Sequence, residues 1–165
     1  MKLKTDRLEL RPFELADVQE AHKYLSAPLA MQHVEPPFDL EKTGDFIRVH
    51  GMAPEPRVYA LVERETGKLA GHVIFHRFGD DTVFELGWVL KRSVWGRGYA
   101  LEISKALIEY AFHCLRLSKV VVETMPQNTL AKKVIEKLGM RKEGDTPEGL
   151  ELWSVERSAY SGLTE

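Results

Sequence analysis

The strongest pattern of apolar and polar positions in the chain is helical and lies between residues 100 and 117. Its apolar residues recur every three or four positions, which is the period of a helix with one buried face. They are Ala100, Ile103, Leu107, Tyr110, Cys114 and Leu117. Residues 82–90 and residues 119–125, on either side, predict strands, the second because it is rich in β-branched side chains. A strand, a helix and a strand in this order predict a βαβ unit.

The first third of the chain predicts one strand and two helices. Residues 8–13 alternate between apolar and polar side chains and predict a strand that ends at Pro12. Apolar residues at helical spacing predict a helix over residues 15–25. Residues 31–39 contain two prolines and no clear period, so they predict a loop, followed by a second helix over about residues 40–50.

Hairpins are predicted in the middle and at the end of the chain. Residues 58–63 and 69–77 flank a turn with a glycine, and residues 82–90 add a third antiparallel strand. Residues 140–143 and 150–155 predict a last hairpin. The sequence therefore predicts a single domain over residues 1–165 of the α/β (α+β) class. We expect a mixed, mostly antiparallel sheet of about seven strands flanked by helices.

A glycine loop joins the strand at residues 82–90 to the long helix. Its residues are Trp95, Gly96, Arg97, Gly98, Tyr99 and Ala100. Glycines at two of these positions allow several backbone N–H groups to turn toward one point, where the positive end of the helix dipole is exposed. The loop is therefore predicted to bind an anion. The NTPase phosphate-loop pattern does not occur, and Leu101 stands where a dinucleotide fingerprint needs a small residue.

Composition and charge limit the remaining classes of function. The chain has 23 basic and 25 acidic residues, a formal net charge of -2, so no overall field favours nucleic acid or an anionic membrane. One cysteine excludes an internal disulfide, and no histidine and cysteine cluster has the spacing of metal ligands. With no apolar run near the roughly 20 residues that span a bilayer, we expect a cytoplasmic protein without metal.

The order and spacing of four segments resemble the GCN5-related N-acetyltransferase (GNAT) superfamily, in the branch of ribosomal-protein N-terminal (alanine) acetyltransferases. The resemblance covers nearly the whole length. The segments are Thr5 to Arg11, Glu85 to Leu90, Trp95 to Ala100 followed by Glu102, and Asn128 with Lys137 to Met140. The domain is accordingly expected to be one N-acetyltransferase domain built around a strand, glycine loop and helix.

The resemblance implies acetyl-CoA as the cosubstrate. Its pyrophosphate would lie on the N–H groups of the glycine loop, residues 95–100, and its pantetheine arm along the backbone of Trp88, Val89 and Leu90. Asn128, which is also a suitable helix cap, would contact the cofactor. One departure is Ala131, where the family commonly has a serine. A hydroxyl contact or proton donor is lost at that position.

Acetyl transfer to an amine requires a group that accepts a proton. Glu85 is a carboxylate on an otherwise apolar face of its strand and matches a position that is a general base in some relatives. An equally weighted alternative pairs it with His76 or His72 across the hairpin. Glu123, on the neighbouring strand, is the second candidate. For the leaving thiol, either a tyrosine or water would serve as the proton donor.

The resemblance favours a protein N-terminus as the amine, reached by direct attack without an acyl-enzyme. A polyamine or an aminoglycoside-like amine is the alternative substrate, and a non-catalytic acyl-CoA sensor is the alternative of another class. His33, Glu35 and Phe38 lie in the loop that shapes the acceptor pocket in relatives, although an ordinary surface loop explains them equally well. The expected assembly is a monomer or a homodimer.

Overall fold

The computed structural model describes residues 1–162, so the last three residues of the predicted domain lie outside the described range. It contains eight strands and five α-helices. The strands are β1 (Leu3–Lys4), β2 (Leu8–Arg11), β3 (Val58–Glu63), β4 (Leu69–Phe78), β5 (Asp80–Leu90), β6 (Lys119–Thr124), β7 (Arg141–Asp145) and β8 (Glu151–Glu156). The helices are α1 (Val18–Leu25), α2 (Pro28–Met31), α3 (Leu40–Phe46), α4 (Tyr99–His113) and α5 (Thr129–Lys137).

Backbone hydrogen bonds join the strands into one mixed sheet in the order β1-β2-β3-β4-β5-β6-β8-β7. Strands β5 and β6 are parallel, with Val83 opposite Lys119, whereas β1 to β4 form antiparallel neighbours, as do β6, β8 and β7. The predicted fold class is therefore confirmed. The sheet has one strand more than the seven expected, because β1 is only two residues long and leaves no alternating pattern in the sequence.

The chain forms two compact units, which are described separately. The first unit consists of Met1–Phe75 and Trp88–Tyr99. Its core packs the first three helices against β3 and β4. Helix α2, which the sequence did not predict, precedes the predicted loop at residues 31–39 and ends at its first residue. Pro28 occupies its first helical turn, where no backbone N–H is needed. The second predicted helix is confirmed as α3, and it continues as a π-helical turn, Ile47–Gly51.

The second unit consists of His76–Gly87 and the chain from Ala100 onward. Helix α4 ends at His113, four residues before the predicted end, so the expected burial of Cys114 in the helical stripe is wrong and its side chain is exposed. The buried positions of α4 include Ile103, Leu107 and Phe112. The cap predicted at Asn128 is confirmed, since its Oδ1 accepts a hydrogen bond from the Ala131 N–H at 3.1 Å.

Candidate active site

The glycine loop in the first unit begins with a short helical turn, Arg92–Val94, and is fixed by its tryptophan. The indole Nε1 of Trp95 donates to the carbonyl oxygen of Leu90 at 3.0 Å. Because Leu90 is the last residue of β5, this bond ties the start of the loop to the end of the strand. Trp95 thus positions the loop through its side chain.

Both loop glycines have a left-handed backbone conformation, which glycine adopts without steric strain. Their φ angles are 77° at Gly96 and 80° at Gly98. Arg97, which lies between them, has a negative φ. Among residues 1–162, Arg116 is the only non-glycine residue with a positive φ. Alternating signs of φ are typical of a backbone nest, in which successive N–H groups converge on an anion. Apart from its two chain neighbours, no atom of residues 1–162 lies within 4 Å of a Cβ built at Gly96, so the loop leaves open space there.

Two residues that sequence reasoning missed hold this loop. Arg7 donates from Nη1 to the carbonyl oxygen of Arg97 at 2.8 Å, and its guanidinium carbon lies 4.8 Å from the centroid of the Tyr99 ring. Glu63 accepts hydrogen bonds from the Tyr99 hydroxyl at 2.8 Å and from the Arg97 guanidinium at 3.3 Å. Both residues are distant from the loop in sequence, and the position of Arg7 in the segment resembling the family was their only sequence signal.

The end of β5 passes unusually close to β4 in the first unit. A Cβ built at Gly71 would lie 2.1 Å from the carbonyl oxygen of Val89. The register with β3 shifts beside it, from Leu61 opposite Gly71 to Val62 opposite Leu69, so Ala70 forms a β-bulge. The carbonyl of Ala70 accepts the Lys91 N–H at 2.9 Å. The backbone of residues 88–90, expected to bind the pantetheine arm, is thus fixed beside a bulge in β4.

Glu85 and His76 form a close pair in the second unit. The Oε2 atom of Glu85 is 3.0 Å from Nε2 of His76, and both side chains are largely buried. Nδ1 of the same ring is 2.8 Å from the carbonyl oxygen of Arg77, which can only accept a hydrogen bond. Nδ1 therefore faces an acceptor, while Nε2 faces the carboxyl group of Glu85. The two contacts together fix the orientation of the imidazole ring.

Glu123 lies on β6 on the same face of the sheet as Glu85. Glu85 is opposite Val121 in the parallel register, and Glu123 is two residues further along the strand. Burial raises the pKa of the Glu123 carboxyl group, and the negative charges of Glu85 and Glu148 raise it further, while His76 opposes the shift. A carboxylate with a raised pKa is a stronger proton acceptor. The raised pKa therefore supports Glu123 as a candidate base.

The sequence of the chain matches the family model described as the acetyltransferase (GNAT) domain over residues 7–141. The chain belongs to the GNAT acetyltransferase family. An uncharacterized N-acetyltransferase of Bacillus subtilis (strain 168), YnaD, is 30% identical to it over 158 residues, which cover 93% of this chain and 92% of that protein. The GNAT superfamily resemblance seen in the sequence is thereby confirmed.

Solved structures show the same fold. A GNAT-family acetyltransferase from Bacillus anthracis superposes with a TM-score of 0.88 at 27% identity, over 96% of this chain and 99% of that one. A spermidine N-acetyltransferase from Vibrio cholerae, solved with CoA and spermine, superposes with a TM-score of 0.79 at 19% identity, over 94% and 99%. At that identity the second match shows the fold alone.

The other expected site residues of this GNAT chain lie in both units. The side chain of Asn128 caps α5 in the second unit. In the first unit, Glu35 forms an exposed ion pair with Lys42 at 3.1 Å, and Phe38 is a buried member of the core. His33 is half-buried. Their roles toward cofactor and acceptor stay predictions.

Among residues 1–162, no group of three or more histidine, cysteine, aspartate or glutamate side chains is arranged to hold a metal ion. Within the same range, no helix is long and apolar enough to cross a membrane.

Proposed function

We propose that this GNAT protein transfers the acetyl group of acetyl-CoA to a primary amine by direct attack. The observation that carries the proposal is the glycine loop before α4, where Gly96 and Gly98 both have positive φ and Arg97 between them does not. A pyrophosphate needs converging N–H donors and a nearby positive charge. The loop offers both, with the guanidinium group of Arg97 as the cation at its edge.

The acetyl-CoA contacts that we propose follow the sequence prediction. The backbone N–H groups of residues 95–100 hold the pyrophosphate, the backbone of Trp88, Val89 and Leu90 aligns the pantetheine arm, and Asn128 contacts the cofactor. When bound, acetyl-CoA supplies an acetyl group activated as a thioester. The family match supports this donor, and the complex with CoA of the similarly folded Vibrio cholerae enzyme is consistent with it.

We further propose that a carboxylate of the second unit removes the proton of the amine. Glu85 stays the first candidate base, now with His76 as its hydrogen-bonded partner. Glu123 is the alternative base, supported by the raised pKa of its carboxyl group. An amine attacks only when it is unprotonated, so either group would act most strongly at pH values where most of the free amine carries a proton.

The acceptor is proposed from two observations. The resemblance to ribosomal-protein N-terminal acetyltransferases favours a protein N-terminus as the leading acceptor. The mutual repulsion of Glu85, Glu123 and Glu148 is a reason to test a polyamine or an aminoglycoside-like amine as the second, because a polycation would neutralise these charges. The spermidine N-acetyltransferase from Vibrio cholerae has the same fold and acts on such an amine.

The test measures binding and turnover separately. Titration calorimetry with CoA tests the cofactor site, and release of free thiol from acetyl-CoA tests transfer across peptides with alanine or serine N-termini, polyamines and aminoglycosides. We expect CoA to bind and thiol release to require one class of amine. Mass spectrometry should show that one acetyl group has been added to that amine. If the protein binds CoA but releases no thiol with any of these amines, the result would contradict the acetyltransferase proposal and favour the acyl-CoA sensor.

The proposal also includes the domain organisation, assembly, location and partners of the protein. We expect one N-acetyltransferase domain over residues 1–165, acting as a monomer or homodimer in the cytoplasm. We expect neither nucleic acid nor membrane among its partners, since its net charge of -2 provides no general attraction to them.

A further inference from the structure

Arg7 contacts the glycine loop at two points. Its Nη1 donates to the carbonyl oxygen of Arg97 at 2.8 Å, although the residues are 90 positions apart in sequence. Its guanidinium group also lies over the ring of Tyr99, the first residue of α4. Its Nη2 is 3.5 Å from a Cβ built at Gly98, which is ordinary contact distance. One side chain therefore touches three consecutive residues of the loop.

The hydrogen bond to Arg97 has a consequence for the next N–H group. The peptide bond between Arg97 and Gly98 is trans, and in a planar trans peptide the carbonyl oxygen and the N–H point in opposite directions. A carbonyl that is directed toward Arg7 therefore turns the Gly98 N–H away from the guanidinium group. That N–H is one of the donors assigned to the pyrophosphate.

Glu63 holds the same part of the loop through the side chains of Arg97 and Tyr99. Its carboxylate, which is only 14% exposed, accepts hydrogen bonds from the Tyr99 hydroxyl and the Arg97 guanidinium. The register of the sheet explains why these groups meet. Leu8 is opposite Glu63, so Arg7 lies just beyond the end of that strand pair, and its own carbonyl accepts the Arg64 N–H at 2.9 Å.

We propose that Arg7 is a positioning residue for the pyrophosphate of acetyl-CoA, which holds the Arg97 carbonyl so that the Gly98 N–H is directed at the phosphate before the ligand binds. The inference rests on the proposed function, because it takes acetyl-CoA as the ligand. Donors that are ordered in advance bind more tightly, since the ligand does not have to order them. Arg7 acts here through the loop backbone.

The experiment compares the affinities of CoA and dephospho-CoA by titration calorimetry. Dephospho-CoA keeps the pyrophosphate and lacks the 3′-phosphate, so it separates the two phosphate sites. In Arg7→Ala we expect Kd to rise about tenfold or more for both ligands, as for the loss of a hydrogen bond from a charged donor. Arg7→Lys, which keeps the charge and one donor, should fall between alanine and the wild type.

Arg64→Ala is the matched control. Arg64 is an exposed arginine of the same unit that donates to the backbone carbonyls of Thr5 and Asp6 rather than to the loop. Its removal deletes the same charge and should change Kd by less than about twofold. Circular dichroism of each variant checks that the fold is retained, and Arg7→Lys provides the decisive comparison if Arg7→Ala does not fold.

Three results would overturn the inference. Equal losses in Arg7→Ala and Arg64→Ala would assign the effect to net charge. A loss for CoA but not for dephospho-CoA would assign Arg7 to the 3′-phosphate. Wild-type affinity in folded Arg7→Ala or Arg7→Lys would show that the loop does not need the contact. Failure of the wild-type protein to bind CoA would instead remove the proposed function, and the inference with it.

Discussion

Oε2 of Glu85 lies 3.0 Å from Nε2 of the His76 imidazole, while Nδ1 of the same ring lies 2.8 Å from the carbonyl oxygen of Arg77. This orientation leaves His76 little freedom to turn away from the carboxylate.

The first prediction compares the two candidate bases. If Glu85 accepts the proton, Glu85→Gln should lower kcat/KM about 100-fold at low pH, where free amine is scarce, and much less at high pH. Glu123→Gln should then have a smaller effect. Rates from pH 6 to pH 9.5 test this, with exposed Glu136→Gln as the control and CoA affinity unchanged in all three variants. The opposite ranking would assign the role to Glu123, and unchanged profiles in both variants would remove both.

A second prediction concerns Glu123 and stability. Since its pKa is raised in the folded state, the folded protein binds a proton there more tightly than the unfolded chain. Deprotonation of this carboxyl group therefore lowers the free energy of unfolding as the pH rises from its unfolded pKa, about 4.3, to its folded pKa. Above the folded pKa the loss is complete and stays constant. Glu123→Gln should raise the free energy of unfolding at pH 7, and the gain should shrink toward pH 4. Urea denaturation at both pH values, with Glu136→Gln as the reference, measures it. A gain that does not depend on pH would contradict the electrostatic cause.

A third prediction concerns His72, whose buried ring nitrogen Nδ1 is 2.8 Å from the Tyr24 hydroxyl. Burial lowers the pKa of His72 to about 3. The unfolded chain binds the proton near pH 6.5, so stability is complete above that pH and falls as the pH drops toward 3, by at most about 1.4 kcal/mol per pH unit.

His72→Gln cannot be protonated in this range, so its stability should fall less steeply with acid. Its stability at pH 7 should also be lower, because the rings of Phe13, Tyr24 and Phe46 pack around the imidazole. Urea midpoints between pH 7.5 and pH 4, measured for His72→Gln and for the wild type, give the two slopes. Parallel slopes for His72→Gln and the wild type would refute the assignment.

The fourth prediction is a stabilising substitution. The hydroxyl of Ser104 is buried in α4 and has no hydrogen-bond partner among residues 1–162. Ser104→Ala removes this buried polar group and adds helix propensity, so the free energy of unfolding should rise by about 1 kcal/mol. Urea denaturation measures the change, with exposed Ser158→Ala as the reference. A lower stability would indicate that a buried water satisfies the hydroxyl.

The fifth prediction tests the close approach of β4 and β5. Gly71→Ala would place a Cβ 2.1 Å from the carbonyl oxygen of Val89, so a backbone must move and the stability loss should exceed about 3 kcal/mol. Gly67→Ala is the matched control, because it also has a positive φ but no atom within 4 Å of its Cβ. It should lose only about 1 kcal/mol. Thermal denaturation compares them, and similar losses would show that conformation alone decides the cost.

Patterns within a few neighbouring residues determined much of this protein. The apolar period predicted α4, and Asn128 predicted the start of α5; the structure confirms both. Glycines at residues 96 and 98 allowed the loop to curl, and both have a positive φ. Helix periodicity, capping and the conformational freedom of glycine are local properties, so the sequence reports them directly. The end of α4 was predicted too late, because the apolar period continued beyond it.

Contacts between distant residues were decided only by the tertiary structure. The sequence offered both His72 and His76 as partners of Glu85, and the structure pairs Glu85 with His76 while His72 meets Tyr24. The raised pKa of Glu123 depends on carboxylates brought near it by folding. Arg7 reaches Arg97 because of the register between β2 and β3 and the path of the loop. Register and burial arise from the packing of the whole chain, so no local pattern encodes which of these side chains meet.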